Sequence, residues 1–388
     1  MDLCENCFAD KLLCDFVHTS PNLTDKCLIC GASNVKIIDC TNAKNQQVVK
    51  AVIRYHFGEY KYNQHFGGDR LSSFLVKSVE IFSAKAINNS ELLSEAIEEL
   101  IENVYEDYDA GISLFGGYCE GEQLPLLRAL KLSVSPRLSN LDQKSEQLNY
   151  YEYESDIDAI LRDLRPHIEK TISHLSLFRA RIGFKLGKYP DDDWESEPHY
   201  IPYEAGEISA PPPQLSRKGR LNREFVSFLY LADDIPIAVA EIKPSPGEYV
   251  SVGEFKLKRS LLIADFTNID FIDFASCDKM LDLFELKNSI NNLFSTPIPT
   301  SKQHRYLLTQ AIADRIRVLG FEGIAFNSSV AEGVNYLLFD TQSAEYVVDS
   351  GKTLLIRKVE VDYLELRKAT NRDDYLYDID PQNGRPII

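Results

Sequence analysis

Between Glu91 and Tyr105 the apolar residues Leu92, Leu93, Ala96, Ile97, Leu100, Ile101, Val104 and Tyr105 recur at helical spacing. This predicts one amphipathic helix with a glutamate-rich face in water and Asn89 or Ser90 as its N-cap. A second helical pattern runs from Asp156 to Leu175, with Pro166 expected to interrupt it. The texture then changes. Leu177 to Phe184 is short, apolar and arginine-bearing, and reads as a strand that opens a new domain. Strands are also predicted over Glu224–Ala232, Ile235–Ile242, Ser251–Lys258, Leu261–Phe266, Gly323–Asn327, Val334–Phe339 and Thr353–Lys358. Helices are predicted over Lys279–Asn292 and over Ser301–Leu319, the latter capped by Ser301. The stretch Pro190–Pro213, with its acidic run and its three consecutive prolines, is expected to be a loop. Strands and helices mix without regular βαβ alternation, so the fold class is α+β. The expected division is residues 1–45, a helical region 46–172, a mixed domain 173–375 and a tail 376–388.

The 388 residues are 44% hydrophobic and 26% charged, enough for two or three domains with ordinary cores. The net charge of −17 argues against non-specific nucleic-acid binding, and any anionic ligand needs cations concentrated locally. The N-terminus lacks a basic region followed by an apolar run, and no stretch reaches the length of a membrane span. A soluble cytoplasmic protein is therefore expected, and cysteines in that setting serve as thiols or metal ligands.

Five of the eight cysteines lie in the first 30 residues. Cys4-x2-Cys7 and Cys27-x2-Cys30 are two CxxC pairs, each suited to a tight knuckle, with Gly31 supplying turn freedom after the second. Together they offer four sulfurs to a structural Zn²⁺, which would leave no open position for catalysis. Cys14, His18 and Cys40 are alternative ligands.

Arg162-x4-His167 resembles the motif of HEPN-family ribonucleases, in a region of suitable helical character. An exposed Arg beside a helix-end His is the simpler reading, and Pro166 would disturb the aim of the His.

Four segments from Leu177 onward resemble the RES domain family. They are Phe178-Arg179-Ala180-Arg181-Ile182-Gly183; Gly219-Arg220-Leu221-Asn222 with Tyr230; Ala238-Val239-Ala240-Glu241; and Ile324 to Ser329 followed by Gly333 to Phe339. The resemblance spans roughly residues 175–365. It implies a mixed β core like that of ADP-ribosyltransferases, joined here to an N-terminal HEPN-like region and the zinc segment. It also implies an enzyme that degrades NAD⁺ by phosphorolysis or hydrolysis of the nicotinamide–ribose bond, acting as a toxin or defence effector. Inorganic phosphate, an antitoxin or regulatory partner, and a second copy of the chain are the partners it brings into view. Transfer of ADP-ribose to a macromolecule, and RNase action through Arg162 and His167, are the rival reactions. No Gly-x-Gly-x-x-Gly follows a strand, so NAD⁺ would be consumed as a substrate and not recycled.

The residue chemistry fits this implication. Loss of nicotinamide leaves positive charge on the ribose, and a carboxylate beside the sugar stabilises it. Glu241, read as ending an apolar strand, is the candidate. Arg220 and Arg179 are assigned by resemblance to the pyrophosphate, where a guanidinium fork gives bidentate hydrogen bonds. Arg181 is an alternative to Arg179, because alternate residues on a strand share a face. Tyr230 would stack on nicotinamide or ribose. Ser328, with Ser329 as the alternative, and Asn335 are assigned to substrate binding.

Overall fold

The computed structural model describes residues 2–57, 62–63, 71–101, 104, 112–113, 129–131, 133–187, 199–267, 269–296 and 306–360. Mixed α+β architecture is observed, with ten α-helices among these residues. They form two compact units. The first gathers described residues within Met1–Ser135 and Asp270–Leu286; the second gathers those within Pro136–Ile269 and Lys287–Leu366. No helix among them is long and apolar enough to cross a membrane.

In the first unit, strands β1 (Asp2–Cys4), β2 (Leu23–Lys26) and β3 (Ser33–Asp39) make a small antiparallel sheet in the order β1-β3-β2. Helix α1 (Lys11–His18) starts at Asp10, whose carboxylate accepts from Leu13 N. Helices α2 (Ala43–His56), α3 (Leu71–Leu75), α4 (Ala84–Ile87) and α5 (Ser90–Ile101) follow, and β4 (Tyr62–Asn63) pairs with β5 (Ile112–Ser113). Helix α5 is the amphipathic helix expected from Glu91. It buries Leu93, Ala96, Ile97, Leu100 and Ile101. Tyr105, at the end of the predicted span, lies outside the described residues.

The second unit starts with α6 (Pro136–Gln147) and α7 (Tyr150–Ile168). Helix α7 begins earlier than its apolar pattern, because Glu152 accepts from the Asn149 backbone N–H and caps the first turn. Pro166 sits inside its last turn, and the chain then enters β6 (Glu169–Ile172). The remaining strands are β7 (Ser176–Ile182), β8 (Lys185–Gly187), β9 (His199–Ile201), β10 (Leu229–Ala232), β11 (Tyr249–Leu257), β12 (Leu261–Asp265), β13 (Gly323–Asn327), β14 (Val334–Leu338), β15 (Ala344–Tyr346) and β16 (Lys352–Leu355). The further helices are α8 (Ile235–Glu241), α9 (Asp278–Ser295), whose residues up to Leu286 belong to the first unit, and α10 (Tyr306–Val318).

The large sheet has the order β15-β11-β7-β10-β14-β13-β12-β6, with β16 also on β11. The pair β12–β13 is parallel and is bridged by the crossover that carries α9 and α10; the other pairs are antiparallel. Alternation sorts the sheet into two faces. Leu177, Leu229, Leu231, Phe255 and Leu338 pack with Ile208 on one face. Ala180, Ala232, Val250 and Val252 pack with Ile237 and Ala238 of α8 on the other.

Two strand assignments change. Ile235–Ile242 is the helix α8. An apolar run of this length is ambiguous by periodicity, and the local start signals favour the helix: Asp234 accepts from Ile235 N and Pro236 fills the first turn. The strand predicted from Glu224 is reduced to Leu229–Ala232, because Asn222 and Ser216 hold residues 216–226 in a loop.

Asp265, at the end of β12, is 4% exposed. Burial would raise its carboxyl pKa, but hydrogen bonds from Lys170 Nζ (2.6 Å) and Thr267 outweigh that and hold it below the ordinary carboxylate value. A folded-state pKa below the unfolded one adds stability above the unfolded pKa, and that stability is lost as pH falls through the folded one. Asp265→Asn is therefore expected to cost roughly 1–3 kcal/mol near neutrality, with a smaller deficit at the acid end. Denaturant titrations at several pH values check this; a deficit that does not vary with pH would refute it.

Candidate active site and cysteine cluster

A cavity of about 380 Å³ opens in the second unit on the α8 side of the sheet. Its floor follows the register across four strands: Phe178 of β7 faces Ala232 of β10, Ala232 faces Asn335 of β14, and Asn335 faces Phe326 of β13. Glu241, Ile242 and Lys243 at the end of α8 form one wall, and the loop residues Gly219, Arg220 and Asn222 contribute another.

Glu241 ends a helix and not a strand. Its Oε1 accepts from Ser328 Oγ at 2.8 Å and from Asn335 Nδ2 at 2.5 Å. Its Oε2 has no hydrogen bond to the described residues, and no Lys or Arg pairs with it among them. Neutral donors thus orient this carboxylate without neutralising it. Ser328 and Asn335, assigned from the sequence to substrate binding, both donate to Glu241. Ser329 Oγ donates to Ser295 O, which separates the two serines that the sequence left open.

Arg220 lines the cavity, with Nη1 donating to Phe294 O and Ser295 O at the C-terminal end of α9. Strands β7 and β10 share a single pair, and Arg179 occupies the place where they diverge. Its Nη1 donates to Tyr230 O and its Nε to Ile208 O, each at 2.8 Å. Burial lowers its pKa to about 10, against the raising influence of Tyr230 and with the charge of Arg181 adding to the drop. Arg181 does not line the cavity. Its guanidinium lies over the Tyr203 ring and donates to Glu207 O. No carboxylate is within ion-pair distance of Arg179, Arg220 or Lys243 among the described residues, and Glu241 is the one acid among the residues that line the cavity.

Tyr230 lines the cavity, and its hydroxyl donates to Asn222 Oδ1 at 2.9 Å. Burial pushes its phenol pKa up. Asn222, itself 4% exposed, is fixed by Nδ2 bonds to the carbonyls of Arg217, Arg223 and Val226. Gln310 of α10 clamps the same loop through the carbonyls of Gly219 and Asn222. No role for Asn222, Gln310, Tyr306 or Lys243 was read from the sequence. Asn222 stands inside the quoted Gly-Arg-Leu-Asn segment, but nothing local marks it as the partner of Tyr230.

A Cβ on Gly219 would lie 2.3 Å from Asn222 Oδ1 and 3.4 Å from the Tyr230 hydroxyl. Asn222 cannot yield without giving up its backbone bonds. Gly219→Ala is expected to destabilise the unit by roughly 1–3 kcal/mol, read in a denaturant melt. A change below about 0.5 kcal/mol would mean that this loop repacks freely.

In the first unit, the sulfurs of Cys4, Cys7, Cys27 and Cys30 all lie within 4.8 Å of one another. The closest pairs are 3.3, 3.5 and 3.6 Å apart, near the roughly 3.8 Å edge of a tetrahedron of thiolates about zinc. Gly31, at φ +76°, closes the second knuckle, where Gly31 N donates to Cys27 O. Hydrogen bonding with Cys7 is the main influence that holds the Cys4 thiol down to about 5, and the same contact pushes Cys7 up. The alternative ligands are turned elsewhere. Cys14 donates to Glu5 O and Phe8 O, His18 pairs with Glu5, and Cys40 is buried outside the cluster.

Arg162 and His167 lie on α7, Arg162 exposed and His167 half-buried. Five residues apart, their side chains leave the helix roughly 140° from each other.

Residues 194–357 match the family model described as the RES domain. A solved structure, "Crystal structure of the M.tuberculosis MbcT-MbcA toxin-antitoxin complex", is matched at 10% identity over 51% of this chain and 92% of that one. Its TM-score is 0.29, a superposition too loose to inform the fold or the function. No curated protein is similar enough in sequence to count as a relative.

Proposed function

We propose that the second unit cleaves the nicotinamide–ribose bond of NAD⁺ and that Glu241 is the catalytic carboxylate. One observation carries this reading: a carboxylate with one oxygen clamped by neutral donors and the other unengaged among the described residues, in a cavity whose lining also includes Arg179, Arg220 and Lys243, none of them ion-paired among those residues. In a chain of net charge −17, cations left without acids mark a place for an anion. Arg220, supported by the field of Arg179, takes the pyrophosphate, and Tyr230 packs against the ring end of the substrate. Glu241 Oε2 faces the sugar carbon as positive charge develops there, and neutral nicotinamide departs. Ser328 and Asn335 are positioning residues that aim the carboxylate. Depletion of NAD⁺ is the cellular consequence, in keeping with a toxin or defence effector.

The four N-terminal thiols fit a structural Zn²⁺ in donor type and in spacing. Such an ion would hold β1, its following turn and the second knuckle together, with no part in the chemistry.

The test is to incubate the purified full-length chain with NAD⁺, with and without inorganic phosphate, and to identify the products. Free nicotinamide with ADP-ribose or its 1-phosphate supports the reading. Label carried on a protein or nucleic acid would favour ADP-ribosyl transfer instead, and intact NAD⁺ would refute cleavage.

A further inference from the structure

Arg220 and Glu241 come from different elements, yet both trace to one peptide group at the end of α9. Ser295 O accepts from Arg220 Nη1 at 2.8 Å and from Ser329 Oγ at 2.7 Å. The residue before Ser329 is Ser328, which donates to Glu241 Oε1 at 2.8 Å. Carbonyls in the last turn of a helix lack partners inside it and carry partial negative charge, so a guanidinium and a hydroxyl both find acceptors there. Arg220 Nη1 also reaches Phe294 O, while its Nε and Nη2 make no hydrogen bond to the described residues.

Asn327, just before the two serines, is tied to the same turn through its backbone. Asn327 N donates to Asn291 Oδ1 at 3.0 Å, and Asn327 O accepts from Ser295 Oγ at 2.6 Å. Asn291 and Ser295 are both buried. Ser328 therefore stands between two residues that are each anchored to α9. Its own hydroxyl accepts from Val330 N at 3.3 Å, which leaves its proton for Glu241. Ser329 itself is exposed, and a carbonyl that already holds Arg220 needs no second donor to be satisfied. What the second bond does is fix the turn that carries Ser328 against the peptide that carries Arg220.

Building on the NAD⁺-cleavage reading, we propose that Ser329 is a positioning residue for that reaction: its bond to Ser295 O sets the Ser328–Glu241 clamp at the working distance from Arg220. The substrate is one molecule held at both places, its diphosphate by the guanidinium and its sugar carbon before the carboxylate. A shift of about 1 Å between the two costs on the order of a hundredfold in rate even when each group is intact. Ser329 touches no substrate in this role. It acts through Ser328.

Full-length wild type, Ser329→Ala, Ser329→Thr, Ser328→Ala and the double variant Ser328→Ala/Ser329→Ala are compared for steady-state NAD⁺ turnover and for thermal melting. Ser329→Ala should lower kcat about tenfold to a hundredfold. The KM for NAD⁺ should stay within about threefold, because Arg220 keeps both of its carbonyls. The melting temperature should stay within about 4 °C of wild type, since one exposed hydrogen bond is lost. Threonine retains the hydroxyl and should restore most of kcat. Adding Ser329→Ala to Ser328→Ala should cost less than about threefold more, because the clamp it aims is already gone. A kcat within about threefold of wild type in Ser329→Ala would overturn the proposal. So would a melting temperature lowered in step with activity, which marks a structural bond only. A raised KM with kcat kept would place Ser329 behind the pyrophosphate site instead, and full additivity in the double variant would show that it does not act through Ser328; either result sinks the role. These outcomes all require turnover by wild type. If wild type leaves NAD⁺ intact, the cleavage reading itself fails and the positioning role falls with it.

Discussion

Glu241→Gln is expected to lower NAD⁺ turnover roughly a hundredfold to a thousandfold while leaving the fold in place. The amide oxygen of glutamine can still accept from Ser328 Oγ and Asn335 Nδ2, so the local geometry survives. What is lost is the negative charge facing the sugar carbon, and the transition state is the species that depends on it. The effect should fall on kcat much more than on the KM for NAD⁺, because the pyrophosphate is bound elsewhere. Steady-state kinetics on the purified variant, with a melt to show that it is folded, make the measurement. Turnover within about threefold of wild type would remove Glu241 from the chemistry. Loss of stability with proportionate loss of activity would mean that it is a structural carboxylate only.

The largest expected effect on stability lies in the first unit. Removing Zn²⁺ with a strong chelator, or replacing Cys27 with Ser, should unfold the N-terminal part of that unit. Structural zinc contributes on the order of 10–16 kcal/mol in small zinc-binding peptides, far more than a three-stranded sheet this short can supply by burial. The knuckles also carry bonds beyond themselves: Ser83 N donates to Cys7 O, Ala9 N to Ile81 O, and Asn89 Nδ2 to Ile29 O. Loosening the cluster should therefore expose residues 78–89 as well as residues 2–40. Limited proteolysis and metal analysis check both points. One zinc per chain and new cleavage in these two stretches are the expected results. A chain purified without metal, yet resistant to protease there, would show that the four thiols need no ion.

The two chemistries were legible in the sequence to different depths. The cysteine cluster was readable almost completely, because a CxxC pair is a local device and its two thiols are brought together by one turn of backbone. Strands such as Gly323–Asn327 and Val334–Leu338 were also recognisable, as short apolar runs bounded by turn residues such as Gly320 and Gly333. Arg220, Tyr230 and Glu241 were named from spacing and resemblance, and the fold brings all three to one cavity. The element under Glu241 was misread, because an apolar run of seven residues carries no period to tell a helix from a strand.

The amino-acid sequence alone therefore determined the four cysteines that cluster, the α+β class and the short list of residues that line the cavity. Only tertiary structure decided how those residues are employed. It joined Ser328 and Asn335 by hydrogen bonds to a carboxylate 87 and 94 positions away in sequence. It also spread β7 from β10 so that Arg179 bonds to backbone. The physical reason is that local propensity acts over a few residues, whereas the orientation of a side chain and the pairing of its charge depend on neighbours supplied by distant segments.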